Sequence, residues 1–303
     1  WNTMKTISHC PICYSQSTSD DLLVKDHMVS QESFHVVTCS SCQLQRTSPR
    51  PELIAAYYES DDYLSHSSDA EGLFAKLYGA LRLWAASKKV NFLEKQMAIS
   101  GRRARLMDVG CGIGVFLEKA KSKEFDVFGV ELSDLARKQA EKRLNQPIFT
   151  NLDDVVLGQT LTSPLDGVSL FHVLEHLPDP AETLRKLHDI TTDDAVVVLG
   201  LPNPESWDAK HYGSHWAAWD VPIHFWHFTK GNIKELASRN GWSLDSIHPM
   251  PLDAFYVSLL SEQFKGRKGV LAWFFAVCVG AYSNLRGGRQ NASSLLYVLR
   301  KPS

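Results

Sequence analysis

Leu106-Met-Asp-Val-Gly-Cys-Gly-Ile-Gly114, continued by Val115-Phe-Leu-Glu118, passes from an apolar strand through a glycine turn into a helix. Glycines there let the backbone turn tightly and approach a ligand without a side-chain clash. The next acidic strand end is Glu131, in Phe128-Gly-Val-Glu131, 19 residues beyond Gly112. A carboxylate so placed can accept both hydroxyls of a ribose. The glycine spacing separates two classes of nucleoside ligand. A dinucleotide site wants G-x-G-x-x-G, with its third glycine packing a helix whose N-terminus faces a pyrophosphate. Here the glycines fall at 110, 112 and 114, position 115 is Val, and Asp108 precedes the loop.

Outward from the loop, strand, turn and helix repeat. Candidate strands are 105–109, 126–131, 147–150, 166–172 and 195–201, with helices near 115–122, 134–144 and 180–189. Apolar strands alternating with amphipathic helices imply a parallel sheet covered on both faces. Ser133 can cap the second helix, and Asp179-Pro-Ala-Glu182 joins an N-cap, a first-turn proline and an acid at the third position. Asn240-Gly241 ends a further helix, and strands near 242–248 and 295–300 would complete the sheet.

The pattern Asp-x-Gly-x-Gly-x-Gly with Glu131 at the next strand end resembles the class I S-adenosylmethionine-dependent methyltransferases. Phe171-His-Val-Leu-Glu-His-Leu-Pro-Asp-Pro180 and Gly200-Leu-Pro-Asn203 look like the family's segments after the fourth and fifth strands, so the likeness covers about residues 105–250. It implies an α/β fold, a Rossmann-like seven-stranded, mostly parallel sheet with helices on both faces. It also implies S-adenosyl-L-methionine as cofactor, held by Asp108, Gly110, Cys111, Gly112, Gly114, Glu131, Leu132 and His172. Asp108 would lie near the methionine ammonium and Glu131 on the ribose. His176 would brace its loop or accept a proton.

Near the N-terminus, Cys10-Pro-Ile-Cys13 and Cys39-Ser-Ser-Cys42 stand 25 residues apart. Two such pairs bring four thiolates to one tetrahedral point, which suits a structural Zn²⁺; two disulfides or free thiols are the alternative. The gap exceeds the usual spacing of about 15–20 residues, so a short hairpin should fill it. Residues 1–48 are therefore expected to form a zinc-ribbon module ending at Ser48-Pro-Arg-Pro51, and 49–100 a helical linker or cap. The methyltransferase domain would occupy 101–303, with a helical insertion at about 252–290. In the linker, Leu53, Ala56 and Tyr57, then Leu73, Leu77, Leu81 and Trp84, recur at helical spacing. Tyr57, Tyr58, Tyr63 and His66 could close over the cofactor or simply pack the linker.

The methyl acceptor should sit at the C-terminal ends of the strands. The segment from Trp207 to Phe228 holds four histidines, four tryptophans and two aspartates within 22 residues. Its Trp-Asp-Pro-His-His-Phe arrangement resembles an element of ubiquinone-pathway methyltransferases. It is the expected acceptor wall, with His224 or His227 nearest the methyl; packing of a rigid lid is the competing account.

Composition narrows the partners. A net charge of -2 gives no reason to expect a polyanion. In residues 1–50, Lys5, Lys25, Arg46 and Arg50 are cancelled by Asp20, Asp21, Asp26 and Glu32, which weakens an RNA methyltransferase that grips nucleic acid with its ribbon. A small-molecule, glycan or lipid-precursor acceptor is expected instead; a non-catalytic scaffold is the reading from another class. No secretion signal is legible, so a cytoplasmic enzyme is expected. The apolar run 269–285 follows Lys265, Arg267 and Lys268. It reads first as a buried helix, and in the alternative as an interfacial helix making peripheral membrane contact.

Overall fold

Strong β formers bounded by glycine and proline turns give the strands, and capped amphipathic segments give the helices. The structure is a computed structural model and describes residues 4–7, 9–51, 57, 73–97, 99, 101–288 and 290–302. Leu53, Ala56, Tyr58, Tyr63 and His66 lie outside the described residues, as do the side chains of 73–82.

In chain order the elements are β1 (Met4–Lys5), β2 (Thr18–Lys25), β3 (Ser33–Cys39), β4 (Gln45–Thr47), β5 (Arg50–Pro51) and α1 (Leu73–Met97). The alternating part follows: β6 (Arg105–Val109), α2 (Val115–Lys121), β7 (Asp126–Val130), α3 (Asp134–Leu144), β8 (Leu165–Phe171), α4 (Pro180–Asp189) and β9 (Thr191–Pro202). Then come α5 (Trp207–Tyr212), β10 (Trp226–His227), α6 (Lys230–Arg239), β11 (Ser243–Pro249), α7 (Asp253–Phe264), α8 (Gly269–Gly287) and β12 (Ser294–Arg300).

The central sheet has six strands in the order β11-β12-β9-β8-β6-β7. The four from β9 to β7 are parallel, while β12 runs antiparallel between β9 and β11. Six strands form where seven are expected. Residues 147–150 supply only a single parallel bridge, Phe149 to Val130. Gln146-Pro147 leads straight into it, and proline has no N–H to extend a ladder. The caps are as read: Ser133 accepts from the Ala136 amide and Asp179 from the Glu182 amide.

The chain runs from β6 outward to β7 and then back to β8 on the other side of β6. That reversal opens a crevice beyond the carboxyl ends of β6 and β8, where open α/β sheets bind ligands. Apolar cores flank the sheet, one around Val168, Leu170 and Leu199, the other around Leu106, Val127 and Val198.

Among the N-terminal strands β1 and β5 pair with each other, Met4 opposite Pro51, but the larger sheet there is completed from elsewhere in the chain. β2, β3 and β4 pair antiparallel, and β10 from the segment after β9 adds the fourth strand, with Trp226 opposite Arg46 and His227 opposite Gln45. Further ties cross the same seam. Asn232 Nδ2 donates to the Cys42 carbonyl at 2.7 Å, and the Arg50 guanidinium lies 3.8 Å from the Phe225 ring centre. The insertion at 252–290 is the antiparallel helix pair α7 and α8. α8 lies largely at the surface, with only 22% of its most apolar stretch buried. The buried-helix expectation for 269–285 is therefore corrected: the inner face of α8 carries small residues and its bulky apolar ones face outward.

Candidate functional site

The crevice is lined first by backbone. Gly110, Gly112 and Gly114 all have positive φ, at 74°, 54° and 81°, conformations that cost a side-chain-bearing residue about 1 kcal/mol or more. Each glycine answers a different need. A Cβ on Gly110 would meet Val173 Cγ2 at 2.4 Å, because the loops after β6 and β8 abut there. One on Gly114 would meet Ala140 at 3.2 Å, where α2 crosses α3. At Gly112 a Cβ would meet nothing within 4 Å, so this position faces open space.

The Gly110 and Cys111 amides donate to the Val130 carbonyl, tying the loop to the end of β7. The Cys111 thiol is buried against Gly129, so only its backbone borders the crevice. Gly112 N–H donates to Glu131 Oε2 at 2.8 Å and Ser133 N–H to Oε1 at 2.9 Å. The carboxylate is thus held across the loop mouth, beside Leu132, which is 76% exposed.

Asp108 is buried beneath the loop, where Ser169 Oγ donates to its Oδ1 at 2.7 Å. Burial, with Glu131 adding to it, pushes its carboxyl up to about 7 against the pull of Ser169 and Lys89. A buried carboxyl so raised is short of positive charge, and an ammonium group arriving there would be favoured. Lys89, reaching in from α1, sits 4.0 Å from the Phe171 ring centre. Burial lowers its pKa while Asp253 and Asp108 oppose that.

His172 follows β8 in the left-handed region, φ 57°. Its Nε2 lies 3.0 Å from Asp253 Oδ2 and its Nδ1 3.5 Å from Glu175 Oε1. Burial alone would depress it, but the two carboxylates prevail and hold its pKa at about 9. His172 is thus an imidazolium at neutral pH.

A second cluster lies just beyond. His176, His224 and Glu175 present ligand atoms within 4.8 Å of one another, an arrangement that could hold a metal ion. Glu175 is fully buried, and apart from the His172 imidazole at 3.5 Å neither carboxylate oxygen has a side-chain partner in hydrogen-bond geometry among the described residues. Burial would raise its pKa, but His172, His176 and His224 around it bring it down. His176 Nδ1 meets the Ile223 carbonyl at 3.0 Å and so must be the protonated nitrogen. Burial, reinforced by His224, lowers its pKa to about 4. His224 Nδ1 likewise donates to the Ala218 carbonyl, and its Nε2 lies 3.7 Å from Asp220 Oδ2. Burial lowers His224 and raises Asp220 to about 6.

His227 is placed differently. Its Nε2 is 3.2 Å from Thr47 Oγ1, whose single proton goes to the His224 carbonyl at 2.6 Å. Thr47 can then only accept, so His227 Nε2 carries the proton. Burial drives the pKa of His227 well below its usual range. A narrow crevice bounded by Glu175, Pro202, Trp216, His224 and His227 joins these groups.

The structure therefore brings His172, His176 and His224 together beyond the carboxyl ends of β8 and β9, with His227 behind them against β4. It adds residues that the sequence reading did not single out. Glu175 stood inside a quoted motif and Asp220 inside a quoted segment. Lys89, Thr47, Ser169 and Asp253 carry no local signal. Tyr57, for which the sequence leaves closure over the cofactor and aromatic packing both open, donates to Glu32 at 3.1 Å and packs edge-on against Phe34.

The four ribbon cysteines also converge. Cys10 and Cys42 sulfurs are 3.4 Å apart, Cys13 and Cys39 3.5 Å, and all four lie within 4.8 Å of one another with no disulfide between them. Thiolates about 2.3 Å from a central ion have such separations.

A glycine loop between parallel strands, an acid across its mouth and a switch-point crevice define a nucleoside-cofactor enzyme of the α/β class. The family model described as a methyltransferase domain matches residues 80–247, and the chain belongs to that family. A ubiquinone biosynthesis O-methyltransferase of Pseudomonas aeruginosa is 23% identical over 119 residues, covering 38% of this chain and 50% of the relative. One from Psychrobacter cryohalolentis is 29% identical over 123 residues, covering 37% and 46%. The chain thus spans about half the length of the curated relatives it matches. Among solved structures, magnesium protoporphyrin IX methyltransferase (ChlM) of Synechocystis PCC 6803 with bound SAH superposes with a TM-score of 0.51. That match has 13% identity and covers 82% of this chain and 99% of the other, a likeness of fold.

Proposed function

We propose that this protein transfers a methyl group from S-adenosylmethionine to a proton-bearing oxygen or nitrogen of a small-molecule acceptor of glycan or lipid-precursor type. The observation that carries the reading is the pairing of an open glycine loop at 110–114 with neutral, buried His176 and His224 on the carboxyl-end side of the same sheet. The names of the relatives, O-methyltransferases of ubiquinone biosynthesis, support a hydroxyl acceptor.

The cofactor supplies an electrophilic methyl on a sulfonium, which becomes a thioether as the S–C bond breaks and the new bond forms. This chain's residues do the rest. Asp108 receives the ammonium end, Glu131 the ribose hydroxyls, and the Gly112 opening admits the chain between them. The imidazolium of His172, fixed by Asp253 and Glu175, would add positive charge beside the cofactor. His176 or His224 takes the acceptor's proton through its unprotonated Nε2, a role worth about 10²–10⁴-fold when a base is needed. His227, tied to Thr47, is a positioning residue that locks the acceptor wall to the ribbon. The four cysteines would hold Zn²⁺, which would tie the turn at 10–13 to the turn at 39–42. The balanced charge of the ribbon gives RNA binding no support.

The test combines cofactor binding with labelled-methyl transfer into a metabolite extract, for wild type and Gly112→Arg. The wild type should bind and label an acceptor; an arginine filling the open space at Gly112 should do neither. Normal cofactor binding by Gly112→Arg would overturn the loop assignment.

A further inference from the structure

Helix α8 is built inside out for a helix in water. Its inner face is small: Ala272, Ala276, Val279, Gly280 and Ser283 are buried. Gly280 lets the helix touch α7 so closely that a Cβ there would meet Phe255 at 2.8 Å. The outer face carries the large apolar residues Val270, Leu271, Phe274, Val277, Tyr282 and Leu285, each between 43% and 86% exposed. From Gly269 to Leu285 no residue is charged. At about 1.5 Å per residue this face is roughly 25 Å long. An apolar stripe of that size on a soluble surface marks an interaction site.

The surrounding charge says what covers it. Lys265 and Lys268 are exposed before the helix and Arg286 at its end. Arg267 is paired with Glu262, and from Gln263 to the last residue the chain contains no acid. A second copy on this face would set basic ends against basic ends, since a two-fold contact repeats the same patch. An anionic bilayer meets both needs: acyl chains for the stripe and phosphates for the rims.

The helix cannot cross such a bilayer. Ser283 Oγ donates to Asp208 at 2.6 Å and Asn284 Nδ2 to the Pro251 carbonyl at 2.9 Å, and β12 returns at once to the central sheet. At the other end Arg267 pairs with Glu262 of α7 and lies 4.2 Å from the Phe275 ring centre, so both ends are fastened and the helix lies along the membrane plane. Its far end touches the acceptor wall, where Trp207 packs on Tyr282 at 4.6 Å between ring centres.

We propose that the outer face of α8 is a membrane-docking surface that seats the protein on an anionic bilayer, with the mouth of the acceptor site held at the membrane plane. The second clause rests on the methyl-transfer reading; the docking itself does not.

Vesicle co-sedimentation of the full chain tests the docking without cofactor or turnover, using phosphatidylcholine alone and an equimolar mixture with phosphatidylglycerol. Wild type should pellet with the mixed vesicles at least about tenfold more tightly than with the neutral ones. Phe274→Ser with Val277→Ser should lose binding to both by about tenfold or more, while circular dichroism and Tm stay at wild-type values. Lys265→Glu with Lys268→Glu should lose only the preference for anionic lipid. Wild type remaining in the supernatant with both vesicles would overturn the proposal. So would a dimer, seen by light scattering, that Phe274→Ser with Val277→Ser dissociates: the face would then belong to a second copy. Failure of methyl transfer alone would leave the docking result standing.

Discussion

The glycine loop and the proposed acceptor wall are made in opposite ways. The loop is local: residues 108–114 are joined only by Glu131 from the end of the next strand, and its work is done largely by backbone geometry. The wall is assembled. His176 comes from the turn after β8, His224 and His227 from the segment after β9, and both are fixed by Thr47 on a ribbon strand some 180 residues away in sequence. A loop of the first kind survives loss of its neighbours; a wall of the second kind depends on a module outside the catalytic fold.

The sharpest way to break this contrast is at the bases. His176→Gln and His224→Gln should each be measured for kcat and for cofactor affinity. The residue that takes the proton should lose about 10²–10⁴-fold in kcat with its cofactor Kd within about threefold of wild type. If both keep full turnover, neither accepts the proton. Gly110→Val should do the reverse: a branched side chain at φ 74°, where even a Cβ lies 2.4 Å from Val173, closes the loop. Calorimetry should show cofactor affinity falling by at least about 100-fold, near 3 kcal/mol. Cys13→Ser with Cys42→Ser, or chelation of bound metal, should lower methyl transfer by about 10–100-fold through a loosened wall. Cofactor affinity should change by less than about threefold. An equal loss in both would mean that the ribbon and the loop fold as one unit.

The smallest effect is on stability against pH, and its sign differs between the two regions. His176, His224 and His227 have pKa values lowered in the fold, so the unfolded chain binds more protons below about 6.5. Stability should therefore drop as pH falls from 6.5 toward 4. His172 is raised to about 9, so its contribution is complete below 6.5 and fades as pH rises through 9. Asp253→Asn should lower Tm by about 2–4 °C at pH 6, since the exposure of His172 discounts the ion pair to roughly 1 kcal/mol. The gap should close by pH 10. A gap that widens with pH would reverse the assignment of His172 as imidazolium.

Much of the fold was legible because its signals are local. β6, α3 and α4 lie where apolar runs and caps placed them, since an N-cap such as Ser133 or Asp179 acts within three residues. The missing seventh strand shows the limit: the segment 147–150 has strand composition, but a strand also needs a partner ladder, and one bridge is all it makes. The site divides the same way. Asp108 and the three glycines form one loop in sequence, and Glu131 meets it from the end of the next strand. Lys89, Asp253 and Thr47 enter from α1, α7 and β4, and no spacing rule links residues so far apart. α8 shows the same divide: apolar composition is shared by a buried helix and an interfacial one.

The sequence by itself determined the class of sheet, the glycine loop and the four-thiol cluster, because each depends on residue spacing and backbone chemistry over short distances. Tertiary structure alone decided that β10 joins the ribbon to the acceptor wall and that His172 is charged while His176 is neutral. It alone turned the large residues of α8 outward. The physical reason is common to all three: burial, proton affinity and facing are properties of what a residue packs against, and the chain sets those neighbours only when it folds.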